Sequence, residues 1–398
     1  MIPKTKKKIN SVLRELYKSE PLPINELANR SGKSVSLTTN TVFECMEEGL
    51  VEESGLASSN GGRKATLYQL RPESAYTVVL AMDQYVSRVM VMDMSNQLVS
   101  PPVLVDIDLA REEGIAVRVL DLLWSAIEES GVPRERILGV GIAMPGFVDA
   151  AEGVNFSFIP SPEAGVSLRD YLEGNLGLPV FIDNDSSVVA LAESTFGAAR
   201  DTCNAMVVNI SWGIGLGIVA NGKLYRGENG FAGEFSHIPL FNNDRICSCG
   251  KVGCLETETS LKVLLEKASD AIRAGRPTTL RVSSRVADSL EEHFRTFIRG
   301  VERRDNLAVE LLNEGGYNLG RGIAVLVHVF NPKKIVLSGR GALAGSVWLP
   351  PIQQAINEHC IRRLSDDIEV VVSDMGYQAG LIGASALVVE NVFKGEAL

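Results

Sequence analysis

Apolar positions recur at helical spacing from the start of the chain. Ile9, Val12, Leu13, Leu16 and Tyr17 share one face and predict a helix over about 5–18. Pro21 and Pro23 break it. A short second helix starts at Ile24-Asn25-Glu26-Leu27-Ala28 and stops at Ser31-Gly32. Ser34 or Ser36 can cap a third, with Val35, Val42, Phe43 and Met46 as its apolar positions. Two short strands follow, 50–53 and 65–70, joined by Ser58-Ser59-Asn60-Gly61-Gly62-Arg63-Lys64. Helix, glycine turn, helix, then a hairpin is the order of a winged helix-turn-helix, here over 1–72. The third helix would offer Lys33, Ser34, Ser36, Thr38, Thr39 and Asn40 to phosphates and base edges of double-stranded DNA. Arg63 and Lys64 at the wing tip would add backbone contacts. A three-helix domain that docks on protein is the competing reading.

From Tyr76 the period becomes strand-like. Residues 77–83 and 88–93 predict adjacent strands, and a helix follows over about 112–129. Ile137–Ala143 and Val180–Asp183 predict buried strands, ending at Met144-Pro145-Gly146 and Asn184-Asp185. α/β sheets bind ligands at such strand ends. A second lobe starts near Ala205 and includes a mainly helical stretch over about 257–326, then a strand running into Gly339-Arg340-Gly341. The last helix, about 377–393, is rich in Ala and Gly and can pack closely. These patterns predict three parts: the head at 1–72, a first α/β lobe at 73–195 completed by 377–398, and a second at 196–376.

Charge sharpens the division. Residues 1–71 hold eleven Lys/Arg against eight Asp/Glu, whereas the whole chain carries a net charge of −10. A basic head on an acidic body points to nucleic acid at one end. No apolar run reaches membrane-spanning length, and the basic N-terminus lacks the apolar core of a signal peptide, so a cytoplasmic protein is expected.

The densest chemistry is His237, Cys247, Cys249 and Cys254, within eighteen residues. Three thiolates and one imidazole complete a tetrahedral shell that suits Zn²⁺. Four protein ligands leave no open position, so the metal is expected to be structural. A reduced cluster without metal is the alternative. Glu234 and Glu256 stand at either end of the segment.

These residues carry a resemblance. Gly233-Glu234 to His237, followed by Cys247-Ser248-Cys249-Gly250-Lys251-Val252-Gly253-Cys254-Leu255-Glu256, resembles the signature of the ROK family (repressors, open reading frames and sugar kinases). The winged head places the chain in its repressor branch. The resemblance implies an actin-like, ribonuclease-H-like pair of α/β lobes with a sugar site in the cleft. It implies sugar contacts from Asn184, Asp185, Glu234, His237 and Glu256, with Asp185 at the position of the kinases' catalytic base. Carboxylates and amides that bind hydroxyls in pairs suit a polyol ring. Without the resemblance, Asn184-Asp185 reads as a strand-to-helix cap and the two glutamates as surface carboxylates.

Two departures bear on activity. The kinases' first phosphate loop, Asp-x-Gly-Gly-Thr, is Asp83-Gln84-Tyr85-Val86-Ser87 here, without its glycines. Their Gly-Thr-Gly-Ile-Gly is Ser211-Trp212-Gly213-Ile214-Gly215. Side-chain bulk obstructs the approach of backbone to phosphate. The expectation is a non-enzymatic, sugar-responsive repressor on a palindromic operator, acting as a homodimer or homotetramer. Its effector would be a sugar or sugar phosphate. An ATP-dependent sugar kinase carrying a DNA-binding head is the alternative. The loop Ile159–Val166 lacks the family's usual Pro-Asn and Gly-Trp, which leaves the sugar unnamed.

Overall fold

The computed structural model describes residues 7–58, 64–281 and 290–394. The chain divides into two compact units, Met1–Asn184 with Leu381–Leu398, and Asp185–Gly380.

The first unit opens with α1 (Lys7–Tyr17), β1 (Leu22–Pro23), α2 (Ile24–Ser31), α3 (Val35–Glu47), β2 (Val51–Leu56) and β3 (Thr66–Leu70). β3 pairs antiparallel with both β1 and β2, which makes the expected wing. Gly32 ends α2 in the left-handed region at φ 65°, a conformation that strains any residue with a Cβ. Ser34, not Ser36, caps α3 by accepting the Leu37 amide at 3.3 Å.

That cap sets the phase of α3 and corrects the expected faces. Thr38, Thr41, Val42 and Cys45 are its buried residues, whereas Val35 and Phe43 are each 48% exposed. Thr38 therefore belongs to the core and not to the exposed face. Its burial is tolerated because its hydroxyl donates to the Ser34 carbonyl at 3.1 Å.

The rest of the unit contains β4 (Tyr76–Met82), β5 (Val86–Asp93), β6 (Val103–Asp106), α4 (Ile115–Ser130), β7 (Ile137–Met144), β8 (Val148–Asp149), β9 (Val154–Asn155), α5 (Leu168–Leu176) and β10 (Val180–Asn184). The main sheet runs β10-β7-β4-β5-β6. β4, β5 and β6 form an antiparallel meander, while β7 and β10 are parallel to β4. Val78, Leu80, Val140, Ile142, Val180 and Ile182 pack with apolar residues of α4 and α5.

The second unit contains α6 (Asp185–Thr195), β11 (Ala205–Ile210), β12 (Ile214–Ala220), β13 (Lys223–Tyr225), α7 (Glu256–Thr259), α8 (Leu261–Arg273), α9 (Leu290–Glu302), α10 (Asn306–Phe330), β14 (Lys334–Ser338), α11 (Leu349–His359), α12 (Arg362–Ser365) and β15 (Glu369–Val372). Its sheet, β13-β12-β11-β14-β15, repeats the meander-plus-parallel order of the first. Two such sheets make the ribonuclease-H-like pair. The lobe boundary falls at Asn184–Asp185, so α6 groups with the second unit and not, as the sequence pattern suggested, with the first.

The last helix, α13 (Gln378–Lys394), packs on β7. Side chains alternate along a strand, so this is the face of β7 opposite α4 and α5. A Cβ on Gly141 would collide with the Ala384 carbonyl, so helix and strand meet backbone to backbone. Among the described residues no helix is long and apolar enough to cross a membrane.

Candidate metal centre and ligand wall

The segment from Gly233 to Glu256 is held by its own backbone and by α10. Phe235 and Ser236 lie buried in a single 3-10 turn that ends at His237. The Cys247 amide donates to the Lys251 carbonyl at 2.8 Å, closing a tight knuckle. The Leu255 amide returns to the Ile238 carbonyl at 3.0 Å, which brings both arms of the segment together. Gly322 of α10 leaves the space that Leu255 and Phe235 occupy. The flanks are pinned by charge: Lys267 bridges Glu258 at 2.7 Å and Glu314 at 2.8 Å.

This brings the four expected donors together. The ligand atoms of His237, Cys247, Cys249 and Cys254 lie within 4.8 Å of one another. Cys247 Sγ is 3.4 Å from His237 Nδ1, and Cys249 Sγ is 3.6 Å from Cys254 Sγ. A tetrahedral ion with bonds of about 2.3 Å to sulfur and about 2.0 Å to nitrogen needs edges of about 3.8 Å and 3.5 Å. These two edges come within about 0.2 Å of that, and three thiols with one imidazole are the donor types such an ion takes.

His237 turns Nδ1 to the thiols, and its Nε2 lies 3.6 Å from Glu234 Oε2. Partial burial raises the Glu234 pKa; His237 opposes the rise and Glu256 adds to it. Glu256 opens α7 immediately after the last cysteine and its neighbour Leu255. Its Oε1 accepts from Ser248 Oγ at 3.4 Å and its Oε2 from the Ile214 amide at 3.4 Å. Glu234, His237 and Glu256 thus form one wall fastened to the cysteine cluster.

Asp185 and Asn184 lie on opposite sides of the unit boundary. Asp185 is the first residue of α6, and its Oδ1 accepts the Ser186 amide at 2.8 Å. Its Oδ2 receives Asn209 Nδ2 at 3.3 Å. Asn184 Nδ2 donates to the Gly146 carbonyl at 3.0 Å. A Cβ at Gly215 would strike Ser186, and one at Gly213 would strike Glu256. The 213–215 stretch is therefore hemmed in by both acidic corners.

The glycine-poor loops have their own occupants. Asp83 Oδ1 accepts the amides of Tyr85 at 2.8 Å and Val86 at 2.9 Å. Those amides face a carboxylate of their own loop. Trp212 is buried, and the Arg340 guanidinium carbon lies 4.1 Å from its ring centre. Arg340, 4% exposed, also donates to Glu291 Oε2 at 2.7 Å and lies 5.2 Å from the Tyr377 ring. The Tyr377 hydroxyl donates to Glu291 Oε1 at 2.9 Å, and Phe294 meets Trp212 edge-on. Sequence reasoning missed this box. Its only local sign was an arginine between two glycines in the turn after β14.

On the head, Ser34, Ser36 and Asn40 are exposed, Lys33 and Thr39 are half-buried, and Lys64 is exposed at the wing. The Thr39 hydroxyl donates to the Val35 carbonyl at 2.8 Å. Arg63 lies outside the described residues.

Comparisons with known proteins agree with this architecture. The ROK family model matches residues 114–391, more than half of the chain. The xylose repressor of Bacillus subtilis (strain 168) is 26% identical, covering 97% of this chain and 96% of that protein. The DNA-binding transcriptional dual regulator NagC of Escherichia coli (strain K12) is 25% identical, covering 98% and 94%. The crystal structure of a ROK family transcriptional regulator, a homologue of the E. coli MLC protein, superposes with a TM-score of 0.76 at 25% identity, covering 98% and 97%. A ROK family glucokinase from Streptomyces griseus, in complex with glucose and AMPPNP, gives 0.66 at 25% identity. It covers 99% of the kinase but only 79% of this chain. The chain belongs to the ROK family.

Proposed function

We propose that the protein is a sugar-responsive transcriptional repressor without kinase activity. The observation that carries the reading is the pairing of an intact ligand wall with self-occupied loops. Glu234, His237 and Glu256 stand on the cysteine knuckle, ready to accept and donate hydroxyl hydrogen bonds. The Asp83 carboxylate takes the amides of its loop, and Trp212 with Arg340 fills the turn beside Gly213. Phosphoryl transfer needs free backbone amides and a held Mg²⁺ at such loops. The repressor relatives, matched over nearly their whole length including the head, support the same reading.

In this reading Zn²⁺ occupies His237, Cys247, Cys249 and Cys254. Bound there it would supply a rigid cross-link and no chemistry, since four protein ligands close its shell. His237 is held through Nδ1, leaving Nε2 on the Glu234 side. Asn184, Asp185, Glu234, His237 and Glu256 bind a sugar or sugar phosphate. Lys33, Ser34, Ser36, Thr39, Asn40, Arg63 and Lys64 contact operator DNA in the cytoplasm, as a dimer on a palindromic site. Ligand changes DNA affinity only as far as it favours one state of the protein over the other.

The kinase relative keeps a second reading in view, a sugar kinase with a DNA-binding head. Incubation with ATP, Mg²⁺ and a sugar panel separates the two. No ADP above background is expected; robust ADP release abolished by Asp185→Asn would establish the kinase instead.

A further inference from the structure

Two sets of contacts meet on α13: those of the ligand wall at its start, within the second unit, and those of the DNA-binding head along its length, within the first. Glu256 accepts the Ile214 amide, and two residues earlier in that loop Trp212 stacks on Arg340. Arg340 and Tyr377 share the two oxygens of Glu291. Tyr377 immediately precedes α13. That helix begins in the second unit and continues in the first from Leu381. Thirteen residues after Tyr377, about 20 Å along a helix, comes Glu390, which forms an ion pair with Lys18 at the end of α1.

The far end is also tied by hydroxyls. Thr77 donates to Ser385 Oγ at 3.0 Å, and the Tyr17 hydroxyl donates to Asn96 Oδ1 at 2.7 Å. Ser385 Oγ and the Tyr17 hydroxyl are 3.0 Å apart. With the Tyr17 proton directed at Asn96, Ser385 must be the donor between them. Thr77, Ser385, Tyr17 and Asn96 therefore form one directed chain, in which each bond polarises the next. Thr77 and Ser385 are fully buried and Tyr17 nearly so. Between its two ends α13 lies against β7 at Gly141 with no room for a Cβ. Close-packed elements shift between discrete arrangements and do not flex continuously.

We propose that α13 is the relay between the ligand wall and the DNA-binding head, with Tyr377 and Tyr17 as the positioning residues at its two ends. The proposal rests on Glu256 as an effector contact, and it gives the arginine box a role. Trp212 and Arg340 fix the start of α13 to the loop that Glu256 holds. Neither tyrosine is among the proposed sugar or DNA contacts.

Hydrogen exchange on the full chain, without sugar or DNA, tests the relay independently of the repressor reading. Tyr377→Phe keeps the ring and removes the bond to Glu291. It is expected to speed exchange about fivefold in α13 and in α1, leaving α4 and α5 unchanged. Ser385→Ala cuts the line at the other end and is expected to speed α1 but not α9. A Tyr377→Phe effect confined to α9 and the 339–341 turn would overturn the proposal. So would uniform acceleration across the chain, which marks a merely structural role.

Discussion

The guanidinium of Arg340 stacks on the ring of Trp212 at 4.1 Å, almost wholly out of solvent. A cation in that position is stabilised by the ring face and by Glu291, 2.7 Å away. Removing it leaves the Glu291 carboxylate without its buried partner. Arg340→Met is therefore expected to cost about 2–4 kcal/mol in urea unfolding. A loss below about 0.5 kcal/mol would mean that the box contributes only surface-like interactions.

Metal content is the direct check on the cysteine knuckle. Cys249 is exposed, so Cys249→Ser removes a ligand without opening a core cavity. Elemental analysis is expected to find one zinc per wild-type chain and a large loss in the variant. Ligation stabilises folded segments, so chelation is expected to speed proteolysis within 233–256. Equal zinc in the wild type and in both Cys249→Ser and His237→Ala would contradict the assignment.

On the head, phosphate contacts and base contacts have different signatures. Lys64→Ala is expected to weaken DNA binding for all sequences and to lower the salt slope by about 1. Asn40→Ala is expected to cost about 1–3 kcal/mol on the preferred site and to relax sequence preference there. Thr38 is buried, so Thr38→Arg should lower the melting temperature and not raise DNA affinity. A salt slope unchanged by Lys64→Ala removes the wing from the interface.

Asp305 gives a pH dependence whose sign is fixed. Burial raises its pKa, but hydrogen bonds from the Thr279 amide, the Thr279 and Thr278 hydroxyls and the Ala308 amide outweigh it and lower the value to about 2. A carboxylate depressed from its usual range stabilises the fold above the unfolded value. That contribution, about 2 kcal/mol, is lost as pH falls from about 4 to about 2. Asp305 also caps α10 through the amides of Leu307 and Ala308. Asp305→Asn is expected to flatten this part of the acid-stability curve. Identical acid limbs for variant and wild type would contradict it.

Much of this architecture is legible locally. The Ile9 to Tyr17 periodicity yields α1, Gly32 ends α2, and the cysteine spacing yields the knuckle, because each is encoded within about a dozen residues. Two features are not local. Thr38 is polar by type, yet its hydroxyl bonds back to Ser34 and lets it enter the core. The arginine box draws on positions 212, 291, 294, 340 and 377, which no sequence window contains. The position of Glu256 after the last cysteine singles it out locally, but its bond to the Ile214 amide required the fold.

A sugar-responsive repressor must change its DNA affinity when sugar binds at the Glu234–His237–Glu256 wall. The most direct measurement uses DNA selected by the protein from a random pool, titrated by fluorescence anisotropy with and without D-xylose, D-glucose and N-acetyl-D-glucosamine. One sugar is expected to shift DNA affinity about 5-fold to 150-fold without ATP, and Glu256→Gln is expected to remove the shift. A sugar that raises the melting temperature through this wall yet leaves DNA affinity unchanged would contradict it.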